Sequence, residues 1–193
     1  MRHLQKRLKV LLSLCCILAI ITPVIAQENN LVKNGNFEEI KDGTAAHWDI
    51  LEGAAGNVAN YPAEPGKGHI GHVNSANNTK SAYLSQWVNL EPQQNYRLSM
   101  HAKMTAGKLT FAIGSNGLNK RMYGELREEL PMSPWFWDES WLASFPFEPG
   151  QWREVSMEFN SGEIKRVLVT LGGFFSKGEY AFDDITLVKI ADK

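Results

Sequence analysis

The strictest constraint on this chain is a two-residue period. In Tyr96-Arg97-Leu98-Ser99-Met100-His101-Ala102-Lys103 the apolar set Tyr96, Leu98, Met100 and Ala102 alternates with the polar set Arg97, Ser99, His101 and Lys103. A strand sends successive side chains to opposite faces, so such a segment has one face in a core and the other in water. The period recurs over 153–159, where Val155, Met157 and Phe159 point one way, and in Val167, Val169 and Leu171. Asn160-Ser161-Gly162-Glu163 supplies turn residues between those two segments. Further strands are expected over 70–73, 82–90, 109–113 and 180–188, separated by Gly, Pro, Asn and Ser clusters. With no amphipathic helix of useful length among them, the pattern predicts an all-β fold, a two-sheet antiparallel β-sandwich.

The first 26 residues stand apart. Arg2, Lys6, Arg7 and Lys9 precede an apolar run over 10–21, and Val24-Ile25-Ala26 offers a cleavage position, the order of a secretory signal peptide. Ser13 and Pro23 break the run, which is shorter than the roughly 20 residues that span a bilayer. Leu14 is too bulky for a lipobox ahead of Cys15. The expectation is an exported domain over 27–193, periplasmic, cell-surface or secreted, with no membrane span once the signal is removed. Both cysteines, Cys15 and Cys16, leave with the signal, so stability rests on a buried core without disulfides. Cleavage takes four basic residues and no acidic one from a chain of formal charge −1, leaving −5. That charge argues against nucleic acid as a partner, and the remaining length suits one domain.

The segment 114–150 breaks the strand rhythm, and connections of that length are functional or disordered. Its density of aromatics argues for a packed or binding surface. A short helix is expected over 121–130. Trp135, Trp137 and Trp141, with Tyr123 nearby in sequence, are candidate stacking platforms.

Asn30-Leu31-Val32-Lys33-Asn34-Gly35-Asn36-Phe37-Glu38 followed by Trp48, then 96–103, then Gln151-Trp152 and Phe182-Asp183-Asp184-Ile185-Thr186-Leu187, form an ordered set across the mature chain. This set resembles the CenC-type carbohydrate-binding modules, also described as families 4, 9 and 22. The resemblance implies a galactose-binding-like jelly roll with an oligosaccharide bound on a concave sheet or at the loop rim. It also implies a structural calcium ion (Ca2+) tying the first strand to the last. The 114–150 segment is longer than the family carries there.

Alternation along the last strand predicts Asp183 on the core face with Ile185 and Leu187. A carboxylate buried there needs a partner, and a hard cation with oxygen ligands supplies one. The family pattern places Glu38 beside it, and Asp184 completes the candidate metal set. The alternative is that Asp183 or Asp184 pairs with Lys33 or caps a turn.

Sugars present apolar C–H faces edged with hydroxyls, so their sites combine exposed rings with a few polar groups. Trp87 lies on the strand face opposite Leu84 and Val88 and is a strand-borne platform. Gln86 is core-facing by the same parity, although in the family a polar residue here reaches ligand. Arg97 and His101 share the polar face of their strand, where they can bond hydroxyls or be ordinary surface groups. The tryptophans of 114–150, with Asp138, Glu139 and Arg121, either bind sugar or bury one another as a satellite core. Trp48 and Trp152 are expected to fill the core or close the sandwich edge. His69 and His72 stand three apart and cannot chelate one ion.

Glu128-Glu129 and Asp138-Glu139 are acid pairs, but adjacent residues rarely give the separation across a cleft that glycoside hydrolysis needs. No H-E-x-x-H or G-x-S-x-G sequence is present. Asn77-Asn78-Thr79 fits a glycosylation sequon. The reading is a non-catalytic exported protein that binds an oligo- or polysaccharide, working alone or beside a separate glycan-processing enzyme or surface protein. The alternatives are an adhesion or assembly protein that docks another protein through the aromatic segment, and a small glycan-cleaving enzyme.

Overall fold

The structure is a computed structural model and describes residues 30–51, 58–76, 78–79, 81–115, 118–126, 141–173 and 175–191. For Leu51, Val58, Ser115 and the strands at 118–126 and 141–147 the backbone alone is described. In chain order the strands are β1 (Ile40–Lys41), β2 (Thr44–Ala45), β3 (Asp49–Leu51), β4 (Val58–Asn60), β5 (Ala63–Glu64), β6 (Gly68–His69), β7 (Gly71–Ser75) and β8 (Ala82–Asn89). There follow β9 (Asn95–Ala106), β10 (Lys108–Ser115), β11 (Leu118–Leu126), β12 (Trp141–Phe147), β13 (Arg153–Asn160), β14 (Arg166–Gly173) and β15 (Gly178–Ile190). Among the described residues no helix is long and apolar enough to cross a membrane.

Two sheets carry the fold, a six-stranded one in the order β12-β11-β10-β14-β8-β3 and a five-stranded one in the order β13-β9-β15-β7-β4. Every segment expected to be a strand is one. Leu84, Val88, Leu109, Phe111, Ile113, Val167, Val169 and Leu171 line the inner face of the first sheet. Tyr96, Leu98, Met100, Ala102, Val155, Met157, Phe159 and Leu187 line that of the second. Burying both stripes against each other is the main favourable term of folding, about 25 cal/mol for each Å² of apolar surface removed from water. Phe37, Trp48 and Tyr61 add an aromatic plug, with ring centroids 5.2 and 5.8 Å from Phe37 to Trp48 and Tyr61 respectively. Trp48 is buried and donates its Nε1 hydrogen to the Asn34 carbonyl at 3.0 Å, so it fills the core as expected.

Two expectations need correction. The helix over 121–130 is absent as far as Leu126, because β11 runs to that residue and pairs antiparallel with β10. Much of the long segment therefore widens the sheet: β11 follows β10, and β12 adds the outermost strand. The sandwich is the expected antiparallel one, with a single parallel pairing among the described strands, between β11 and β12. The turn expected at 160–163 does join β13 to β14, and in doing so carries the chain from one sheet to the other.

The second correction concerns β15. Asp183 pairs with His101 while Thr186 pairs with Ser99, so three steps on β15 match two on β9. This is a β-bulge, and Asp184 takes the left-handed conformation (φ 51°) that Asp tolerates better than most residues. Inward positions thus change from even (Tyr180, Phe182) to odd (Ile185, Leu187) at the bulge. Asp183 lies by register on the outer face with His101, and not on the core face. It is nonetheless 1 % exposed, because other groups cover it from outside.

Candidate functional site

The outer face of the six-stranded sheet has a floor of small residues. Across the strands one row runs Tyr83, Gly172, Thr110, and a second runs Ser85, Thr170, Ala112. A third runs Trp87, Leu168, Gly114. Ser85, Thr110, Ala112 and Gly172 are small and buried, Thr170 and Gly114 are half-buried, and Trp87 at one end of its row is the exposed member, at 48 %. The physical cause is the strict parity of β8: Leu84, Gln86 and Val88 are buried, which turns Trp87 outward. The Arg166 guanidinium lies over the indole, its Cζ 4.6 Å from the ring centroid. That contact orients the ring and sets N–H donors beside it.

The register brings Tyr123 of β11 opposite Thr110, and Trp141 of β12 pairs with Arg121. Trp87, Tyr123 and Trp141 thus belong to one sheet. Trp135 and Trp137 lie outside the described residues, as does Asn77 of the sequon.

Gln86 does not join this face. Its amide is buried and spent on the N-terminal segment, accepting from Lys33 N at 2.7 Å and donating to Lys33 O at 2.8 Å. Arg97 and His101 are not there either, because β9 belongs to the other sheet. On that sheet's outer face Arg97 donates to Glu158 Oε1 at 2.7 Å, and His101 Nδ1 lies 3.0 Å from Asp184 Oδ2. A two-residue period identifies the wet side of a strand but not its sheet.

The acidic candidates meet a lysine. Lys67, between β5 and β6, places Nζ 3.2 Å from Asp183 Oδ2 and 3.0 Å from Asp184 Oδ2. Burial pulls the Lys67 ammonium down, but its hydrogen bonds to Asp184 and Asp183 outweigh this and leave its pKa raised. Burial likewise opposes ionisation of Asp184, whose pKa still falls through its bonds to Lys67 and His101. Asp183 is different. Burial pushes its carboxyl up and the Asp184 charge adds to this, while a backbone hydrogen bond and Lys67 only partly offset them.

The other oxygen of Asp183, Oδ1, is buried and has no hydrogen-bond partner. An uncompensated buried carboxylate oxygen is the chemical condition that a hard cation relieves. Glu38 reaches the same hairpin, accepting from His69 N at 2.9 Å, and a Cβ at Gly68 would collide with its carboxylate. Among the described residues no three His, Cys, Asp or Glu side chains group around one point, so backbone oxygens would have to complete a shell. Asp183 and Glu38 suit such an ion better than Asp184, which Lys67 and His101 already balance.

Trp152 neither fills the core nor stands free. Lys103 and Lys67 place their ammonium groups 4.7 and 5.0 Å from its ring centroid, and its Nε1 donates to Glu64 Oε1 at 2.8 Å. No residue period pointed to this arrangement, since Lys67 and Glu64 come from a short hairpin far away in sequence.

A family model described as a carbohydrate binding domain matches residues 29–173. The chain belongs to that family. The carbohydrate-binding domain shares its jelly-roll sandwich with solved structures of low sequence identity. A CBM4 domain is 15 % identical with a TM-score of 0.56, over 82 % of this chain and 99 % of its own. The enzymatically active domain of tailspike protein 4 from bacteriophage CBA120 is 13 % identical with a TM-score of 0.58, over 83 % of this chain. This chain spans 21 % of that protein's length. The CBM22-1–GH10 modules of Clostridium thermocellum endo-1,4-β-D-xylanase 10B, complexed with xylohexaose, are 15 % identical with a TM-score of 0.52, over 83 % of this chain and 29 % of theirs. No curated protein matches the sequence.

Proposed function

We propose that this carbohydrate-binding domain is exported by its N-terminal leader and holds an oligo- or polysaccharide on the outer face of the six-stranded sheet, with no covalent chemistry of its own. Trp87 is the observation that carries the reading. A ring 48 % exposed, with a guanidinium over one of its faces, offers the apolar platform and the donors that a pyranose chain needs. Affinity electrophoresis of residues 27–193 through gels containing xylan, mixed-linkage β-glucan or galactan tests it. Retardation by at least one polysaccharide, abolished in Trp87→Ala, supports the reading. A folded protein retarded by none shifts weight to docking of a protein partner.

A calcium ion belongs to the same proposal as a structural group. It would be held by Asp183 Oδ1 and the Glu38 carboxylate, and the positive charge it supplies would compensate Asp183. Lys67 keeps Oδ2 of Asp183 turned toward the hairpin, leaving Oδ1 for the ion. Asp184 remains with Lys67 and His101.

A further inference from the structure

The β5–β6 hairpin folds over the outer face of the five-stranded sheet and leaves a cleft of about 300 Å³ beneath it. One wall is apolar, made by Pro62, Pro65, Ile70 and Ala181. The volume exists because β15 has alanine at 181, an outer-face position between the larger Glu179 and Asp183. Polar groups converge from the other side: Glu64 on the hairpin, Lys103 and Thr105 on β9, Glu179 on β15 and His72 on β7.

These groups are held in place. Glu64 accepts from Lys103 Nζ at 2.5 Å and from Trp152 Nε1 at 2.8 Å. Thr105 donates to Glu179 Oε2 at 2.9 Å, and His72 Nδ1 donates to Asn60 Oδ1 at 2.9 Å. Burial opposes ionisation of Glu64, but its bonds to Lys103 and Trp152 prevail and hold its carboxyl below the usual range. Burial also lowers His72, so the imidazole is neutral near pH 7. The lining therefore offers two fixed carboxylate acceptors, one ammonium, one neutral imidazole and an apolar wall.

We infer that this cleft, on the sheet opposite Trp87, is a second sugar site that takes a single neutral pyranose unit. The volume lies at the small end of ligand pockets and suits one ring better than a chain. Carboxylates accept from sugar hydroxyls, Lys103 donates to them, and the C–H face lies against Ile70 and Ala181. With its two acids and one lysine, the cleft has no excess of positive charge to attract an anion. The inference does not rest on the role of Trp87, because the two faces share no residue.

The test is a titration followed by amide nitrogen–proton correlation spectra of residues 27–193. D-Glucose, D-galactose, D-mannose, D-xylose and N-acetyl-D-glucosamine are added separately. At least one sugar is expected to give saturable shifts at the amides of Lys103, Thr105 and Ala181, unchanged in Trp87→Ala. Ala181→Leu, which fills the cleft, should weaken that binding about tenfold or more. Glu64→Gln keeps an acceptor for Trp152 and should also weaken binding, which decides the matter if the leucine variant does not fold. No saturable shift at those amides with any of the five sugars overturns the site. So does binding that survives either folded variant at full strength, or binding that disappears with Trp87→Ala. Retardation lost in Trp87→Ala reads the Trp87 face, and amide shifts that the same variant leaves unchanged read the cleft, so failure of one site is distinguishable from failure of the other.

Discussion

Lys67 holds Asp183 and Asp184 on one ammonium group, with Nζ 3.2 and 3.0 Å from their Oδ2 atoms. The Asp183 side chain is 2 % exposed, so it cannot turn to water if the lysine is lost. Lys67→Met should therefore cost about 3 kcal/mol, the penalty for leaving one partner of a buried pair. Lys67→Met combined with Asp183→Asn should recover most of it. Urea denaturation midpoints at unchanged slope check both values.

If calcium uses Asp183 Oδ1, the melting temperature rises with added calcium and falls on chelation. An ion present at one hundred times its dissociation constant adds about 2.7 kcal/mol to the folded state. Asp183→Asn should remove the response. A wild-type protein whose melting temperature ignores both calcium and chelator rules the ion out.

Trp87 and Trp48 should separate binding from stability. Trp87→Ala is expected to lower polysaccharide affinity about tenfold or more while leaving the melting temperature nearly unchanged, since the ring is half in water. Trp48→Ala should cost about 3 to 5 kcal/mol, because it empties a buried site against Phe37. Calorimetric melting and gel retardation on the same samples read the two effects.

Gln86→Ala should destabilise by about 1 to 3 kcal/mol, because both backbone groups of Lys33 lose their partner. Glycan affinity should not change. A selective loss of affinity at unchanged stability would return Gln86 to the binding face.

The pH dependence carries a sign that His72 fixes. Its folded pKa is lowered from 6.5 by burial, with Lys103 adding to the shift and Glu179 opposing it. Between the lowered value and 6.5 the unfolded chain binds more protons than the folded one. This contribution to stability is present above 6.5 and is lost as pH falls through 6.5 toward the lowered value. His72→Gln should flatten that slope in urea midpoints measured at successive pH values.

The sandwich was legible because alternation is a local signal: Leu98, Met100 and Ala102 face inward whatever lies around them. Trp87 was legible for the same reason. The partition of residues between sheets was not: alternation puts Arg97, His101 and Trp87 each on a wet strand face, without saying that β9 and β8 belong to different sheets. Lys67, Glu64 and Trp152 were missed as a cluster, since nothing in sequence joins a two-residue hairpin to the start of β13. Asp183 was expected to be buried, and it is, but a lysine outside the sheet covers it.

The bulge in β15 makes Asp184 a surplus residue in the ladder. Tyr180 and Phe182 before it, and Ile185 and Leu187 after it, would keep their inward phase if the strand were one residue shorter at that point. With Asp184 deleted the core stripe closes up into plain alternation, while Ile185 has to keep its hydrogen bond to the Gly35 carbonyl. What such a shortened strand forfeits lies on its outer surface, where His101 would lose its carboxylate partner and Lys67 would keep Asp183 alone.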